Sequence, residues 1–243
     1  MHTTLKAAVL AVALMFSGPA FAWNIDKMNA QIEQTNVIVS GICSGTIIDV
    51  EKRLVLTAHH CITDNLREVE KQDVDPKTGE IRTKKVMELV PMYVEVWKRQ
   101  DYEIVSKEQH TAIILGWDER ADIAIIQVVD VNWKPSMAAP LAPPDYQYKR
   151  GSKVYAVGNP AILFDNSVTE GIISAPQRYL DLGRGKVPFF QMSAGIIGGN
   201  SGGAIYNDDG EIIGTVSAGV RGSSVGLAVP ISKTHELLKK LGL

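Results

Sequence analysis

The sequence predicts an all-β fold, and three observations carry that expectation. About a dozen short runs rich in β-branched residues are separated by turn residues. They fall into two groups on either side of a proline-rich break, and helical spacing is confined to the ends of the chain. Two packed antiparallel barrels or a pair of sandwiches would satisfy all three.

Residues 1–22, MHTTLKAAVLAVALMFSGPAFA, carry Lys6 as the one clear positive charge before an apolar run over 7–16. The breakers Gly18 and Pro19 follow, then the small-residue pattern Ala20-Phe21-Ala22. This is the layout of a secretory signal, with cleavage expected after Ala22. Its apolar core is too short to span a bilayer comfortably. No later segment has eighteen unbroken apolar residues, so the mature chain is expected in the periplasm or secreted medium, off the membrane.

Met28 and Ile32, four apart, mark a short helical leader. The first group of strands is expected at 37–42, 45–49, 54–58, 87–98, 113–116 and 124–129. The fourth of these alternates as Tyr93-Val94-Glu95-Val96-Trp97. Segment 64–85 reads as a polar, solvated loop turning at Asp75-Pro76-Lys77-Thr78-Gly79. Residues 131–148, with Pro135, Pro140, Pro143 and Pro144, read as a linker. The second group is expected at 153–157, 168–173, 189–192, 204–206, 212–217 and 226–229. Ser232 is placed to cap a terminal helix presenting Leu237, Leu238 and Leu241. The organisation is therefore a signal at 1–22, an N-terminal unit at 23–130, a linker at 131–148 and a C-terminal unit at 149–243.

The formal charge of −2 becomes more negative by one once Lys6 leaves, which gives no electrostatic case for nucleic acid. The two cysteines, Cys43 and Cys61, both lie in the exported part, where an even pair reads as one disulfide. Eighteen residues apart and without C-x-x-C spacing, they make a poor zinc site. No metal or cofactor is expected.

One stretch, GGNSGGAIYND at 198–208, reads in isolation either as a tight turn or as a nucleophile loop, and the rest of the chain decides between them. A serine hydroxyl attacks only when a neutral imidazole takes its proton and an acid orients that imidazole. It also needs backbone N–H groups aimed at the developing oxyanion. Gly199 and Gly202 would let the backbone present them. Of five histidines, His2 leaves with the signal, His110 sits in a polar stretch expected to be exposed, and His235 lies on the terminal helix near its C-terminus. His59 and His60 follow an apolar strand and precede Cys61, whose disulfide to Cys43 would pin their loop. For the acid, Asp122 enters the apolar run 123–129 and would be buried, where an imidazole N–H suits it. Asp118 and Glu119 read as turn residues. The order is His60, Asp122, Ser201.

With those residues in view, the chain resembles a chymotrypsin-fold serine protease, and within that group the HtrA/Deg-type bacterial branch. LTAHHC (56–61) is similar to that family's LTAAHC box, and GICSGTII (41–48) to the strand bearing the partner cysteine. DIAII (122–126), VYAVGNPAILFDNSVTEGIISA (154–175), GGNSGGAIYNDDGEIIG (198–214) and GLAVPIS (226–232) match further boxes in order. The resemblance implies two antiparallel six-stranded β-barrels with the active site in the cleft between them and a short C-terminal helix. It implies His60 as general base, Asp122 as its orienting carboxylate, Ser201 as nucleophile, and the N–H groups of Gly199 and Ser201 as oxyanion hole. Ser217, Ala218 and Gly219 would run beside bound substrate.

Gly195, six residues before Ser201, stands where an acid would select Lys or Arg. Ile196 and Ile197 follow it, and nothing charged is expected around the pocket. A small or medium apolar side chain before the scissile bond is the implied preference, with protein or peptide substrates as the partners. Asn200 replaces the aspartate that receives the new amino terminus in zymogen-activated relatives, so that switch should be absent. His59 replaces a small residue and has no sequence-level account. A PDZ domain follows the protease in many HtrA-like proteins; the chain stops at Leu243, and regulation through such a domain is not expected. The expected function is an exported serine endopeptidase; a non-cleaving or latent peptide-binding, chaperone-like member of the same fold is the alternative.

Overall fold

The computed structural model describes residues 24–100 and 103–243. The expected signal, with His2 and Lys6, lies outside the described residues.

Helix α1 (Ile25–Thr35) opens the described chain, with Asn24 Oδ1 accepting from Lys27 N at 2.8 Å as its cap. Fourteen strands follow: β1 (Asn36–Val39), β2 (Cys43–Asp49), β3 (Leu54–Thr57), β4 (Leu66–Val74), β5 (Ile81–Leu89), β6 (Met92–Gln100), β7 (Glu103–Asp118) and β8 (Ile123–Val128). Beyond the linker come β9 (Lys153–Gly158), β10 (Ser167–Asp181), β11 (Lys186–Met192), β12 (Ala204–Tyr206), β13 (Ile212–Gly219) and β14 (Gly226–Pro230). Helix α2 (Ile231–Leu241) ends the chain.

Two closed six-stranded antiparallel barrels result, in the orders β1-β2-β3-β8-β7-β6 and β10-β11-β14-β13-β12-β9. The expected architecture is thus the observed one, and closure removes the exposed sheet edges that short strands would otherwise present. Side-chain alternation decides how the barrels meet. On β3, Val55 points into the first barrel's core, while Leu54 and Leu56 point out into a core shared with the second barrel. On β8, Ala124, Ile126 and Val128 face inward and Ile123 and Ile125 face the second barrel. Strands buried on both faces must be apolar at nearly every position, which is why LVL and IAII read as continuous runs.

The sequence reading departs from the structure in four places. The expected strand 87–98 is cut at Val90 and Pro91, and its first residues close a hairpin, β4 with β5, from Leu66↔Leu89 to Val74↔Ile81. This replaces the loop expected at 64–85, although the turn is where it was expected, with Asp75 Oδ1 accepting from Lys77 N and Thr78 N at 2.8 and 3.2 Å. Both faces of the hairpin are mostly exposed, so no apolar alternation marked it. Strands β7 and β10 also run well beyond 113–116 and 168–173. Finally, α2 starts at Ile231 with Pro230 at its cap, so Ser232 sits inside the first turn and caps nothing.

The proline-rich linker touches both barrels: Ala139 N donates to Ile47 O, Ala142 N to Ile212 O, and Ile212 N to Pro140 O. The two helices are held by the barrel farther along the chain from each. Gln31 of α1 donates to Gly210 O in the second barrel, while Leu241 of α2 fills the space over Gly116 of β7 in the first.

Candidate active site

His60 follows β3 in a single 3-10 turn, His59–Cys61. Cys61 is bonded to Cys43, the first residue of β2, with the Cα atoms 5.9 Å apart. The disulfide therefore pins the turn as expected. His60 and both sulfurs lie within 4.8 Å of one another, but sulfurs bonded to each other have no thiolate to offer a metal.

Asp122 occupies the tight turn from β7 to β8, where its backbone is left-handed at φ 60°, a conformation Asp tolerates better than most residues. Asp118 Oδ1 holds that turn by accepting from Ala121 N at 2.9 Å. The Asp122 side chain is completely buried. Its Oδ1 accepts from His60 N at 3.0 Å, and His60 Nδ1 lies 3.1 Å from Oδ1 and 3.0 Å from Oδ2. Ser217 Oγ donates to Oδ2 at 2.5 Å. Burial alone would raise the Asp122 carboxyl; the His60 ring, the Ser217 hydroxyl and the His60 backbone N–H outweigh it and hold the group below its ordinary value. Ser217 was expected to serve substrate through its backbone. The register of β13 against β14 slips between Val216 and Ala218, a bulge that accompanies the turning of its hydroxyl onto Asp122.

Ser201 lies in the turn between β11 and β12. Gly199 has φ 95°, and a Cβ there would sit 2.3 Å from Asn159 O. Gly202 has φ 80°, and a Cβ there would sit 2.3 Å from Ser44 O and from Thr57 Oγ1. Both the backbone conformation and the space require glycine. A peptide's carbonyl and N–H point opposite ways. Gly198 O accepts from Ala161 N at 2.7 Å and Asn200 O from Gly203 N at 2.9 Å, which turns the N–H groups of Gly199 and Ser201 the other way. Among the described residues neither N–H has a protein acceptor, and no hydrogen bond joins Ser201 Oγ to His60. Ser44 N donates to Ser201 O at 2.8 Å across the barrels, and Cys61 Sγ lies 3.8 Å from the same oxygen.

Ser44 was not singled out by the sequence. Its buried hydroxyl donates to Gly199 O at 2.7 Å and accepts from Asn159 N and Nδ2 at 2.8 and 3.1 Å, fixing the serine turn to the loop after β9. Its only sequence signal was its place beside Cys43.

A cavity of about 850 Å³ opens beside Ser201 and is lined by Ile196, Ile197, Ala218, Gly219, Arg221 and Ser223 among others. Ile196 is buried against the positions that a Cβ on Gly219 or Gly226 would take, so it floors the cavity. Gly195 lies outside the lining, near Thr169. Arg221 corrects the expectation that nothing charged would stand there; it comes from the loop after β13, which counting back from Ser201 could not reach.

Three other histidines find plain roles. His59 stacks on Trp117, with centroids 6.3 Å apart, and burial lowers its pKa despite the charges of Asp122 and Glu119. His110, expected to be exposed, is buried with Nδ1 2.8 Å from Asp130 Oδ2 and its ring against Trp133. His235, in mid-helix, donates from Nε2 to Ala142 O at 2.8 Å and thus ties α2 to the linker.

Comparison with known proteins agrees with this geometry. Residues 43–214 match the model of the trypsin-like peptidase domain. The chain is 38% identical over 142 residues to a probable periplasmic serine endoprotease, DegP-like, of Pseudomonas fulva, covering 56% of this chain and 28% of that one. It is 33% identical over 146 residues to the serine protease Do-like HtrB of Bacillus subtilis, covering 57% and 31%. The chain thus spans about three-tenths of the length of these relatives. A crystal structure of the serine endoprotease from Yersinia pestis superposes with a TM-score of 0.62 at 24% identity, covering 90% of this chain and 66% of that one.

Proposed function

Since the chain belongs to the trypsin-like peptidase family, we propose that it is an exported serine endopeptidase in which Ser201 attacks the peptide carbonyl, His60 takes the serine proton and Asp122 orients His60. The observation that carries the reading is the pair of N–H groups at Gly199 and Ser201, turned by anchored carbonyls toward no protein acceptor. They are the donors a tetrahedral oxyanion needs, set before substrate arrives. Buried Asp122 on Nδ1 leaves Nε2 of His60 free to act as the base, the tautomer that general-base catalysis requires. Catalytic hydrogen bonds of this kind are often long in unliganded sites and tighten in the substrate complex.

The reaction proceeds in two halves. Ser201 Oγ bonds to the carbonyl carbon as its proton moves to His60, and the imidazolium then protonates the leaving amine as the C–N bond breaks. Water, deprotonated by His60, attacks the resulting ester; the bond to Ser201 Oγ then breaks, His60 returns the proton to that oxygen, and the acid is released. Ile196 flooring the cavity, with Ile197 and Ala218 on its walls, supports a small or medium apolar side chain before the scissile bond. Export rests on the secretory pattern of residues 1–22.

Intact mass of the mature chain after exposure to a fluorophosphonate tests this reading. One adduct, absent in Ser201→Ala, is expected. No adduct on folded protein would leave a peptide-binding scaffold in place of a peptidase.

A further inference from the structure

Asp122 also meets a permanent cation. The turn joining β10 to β11 carries Arg184 over from the second barrel, and its Nη1 lies 3.0 Å from Asp122 Oδ1. Arg184 is one-fifth exposed, while Asp122 is not exposed at all. The turn that presents it is tied down, because Asp181 Oδ1 accepts from Gly183 N at 2.9 Å and Gly185 N at 3.0 Å. Arg184 Nε is buried without a hydrogen-bond partner, and Asp122 is the acid its guanidinium pairs with among the described residues.

The burial of Asp122 does not call for this arginine. The His60 backbone N–H, the His60 ring and the Ser217 hydroxyl already fill most of the lone-pair sites of one carboxylate. A guanidinium brought in from water adds a desolvation cost of its own. What it changes is the field at the imidazole. A lone carboxylate favours the protonated ring, and a cation on the same carboxylate, here at Oδ1, offsets part of the attraction. The other charged or titratable groups nearby are His59 on the histidine turn, Glu119 on the turn before β8 and Arg120 beside Gly185. Among the described residues, Arg184 is the permanent cation paired with Asp122.

We propose that Arg184 is a positioning residue which acts through Asp122: it fixes the carboxylate and shares its charge, so that the His60 imidazole stays neutral, and able to accept a proton, to lower pH than Asp122 alone would allow. This inference rests on the triad reading above. It also makes the β10–β11 turn of the second barrel part of the machinery of the first.

The test is an NMR titration of the His60 ring protons in the mature protein and in Arg184→Gln, Arg184→Lys and Asp181→Ala. The pH profile of fluorophosphonate labelling is measured on the same samples. Arg184→Gln is expected to move the His60 titration, and the acid limb of labelling, upward by about half to one pH unit. Arg184→Lys, which keeps the charge, should stay near the parent. Asp181→Ala, which loosens the turn, should shift in the same direction by less and covers the case in which the Gln variant does not fold. A His60 titration that moves equally in the Gln and Lys variants, or in none of them, overturns the inference. If no protein labels but the titration still moves as expected, the peptidase reading falls and the Arg184 inference stands. Normal labelling with an unmoved titration does the reverse.

Discussion

Replacing Ser44 by Ala removes one oxygen from the middle of the serine turn. That oxygen donates to Gly199 O at 2.7 Å and accepts from Asn159 N at 2.8 Å, in a site with no solvent exposure. Its loss strands the part-buried Gly199 carbonyl and the buried Asn159 amide, each costing up to about 1–3 kcal/mol when left unpaired. Relaxation and water entry would recover part of this, which leaves about 2–4 kcal/mol of lost stability. For a chain of this size the melting temperature should fall by roughly 4–16 °C. The activity consequence is separate. Gly199 O no longer has its anchor, so the Gly199–Asn200 peptide can rotate, and with it the loop carrying the two N–H groups proposed as oxyanion donors. Displacing one such donor costs on the order of 10²-fold in rate. The assays are a thermal melt and the second-order rate of fluorophosphonate labelling, with Ile213→Val as a control that trims the second barrel's core away from the turn. If Ser44→Ala melts within about 2 °C of the parent and labels at the parental rate, the hydroxyl does not hold the turn, and the account of the oxyanion loop is wrong.

Other expectations follow from the same geometry. Ser201→Ala, His60→Ala and the double variant should lose similar activity, because the residues act as a unit; losses that multiply in the double variant would argue against a shared mechanism. Reducing the Cys43–Cys61 bond should destabilise the protein by about 2–4 kcal/mol, read from denaturant midpoints with and without reductant. The Asp122 carboxyl is held below its ordinary value of 3.8, so its pairing contributes stability fully present above that value and lost as pH falls through the lowered one. Melts carried from about pH 6 to about pH 2 should therefore fall more steeply at the acid end for the parent than for Asp122→Asn. Ile196→Ala should deepen the cavity and favour larger aliphatic side chains before the scissile bond by roughly 10–200-fold, measured as kcat/KM on a peptide series.

The sequence carried the parts of this molecule that depend on local rules. Apolar runs such as LVL and IAII announced strands buried on both faces. The glycines at Gly199 and Gly202 announced a backbone that no side chain could follow. Cys61 beside His60 announced a pinned turn. What it did not carry depends on partners distant in the chain. Arg184 and Asp122 are brought together only by barrel closure and by the packing of one barrel on the other, and nothing in the local context of LGRGK distinguishes that arginine from a surface one. Ser44 meets Gly199 and Asn159 across more than a hundred residues. His110 lies in a polar stretch and is buried because its other neighbours, Asp130 and Trp133, come from beyond the next strand. The β4–β5 hairpin was hidden for the opposite reason: its few apolar residues are interrupted by charged and polar ones and do not alternate regularly along one face.

The two terminal helices reach across the molecule in opposite directions, α1 to Gly210 and α2 to Gly116. A chain fastened in this way behaves like a crossed strap, and force or heat that loosens one half also releases the fastening of the other. Denaturation should accordingly show one sigmoidal transition. A single cut in the linker would leave the two pieces clasped and the cleft in register. A nick there would thus leave the geometry of the cleft in place.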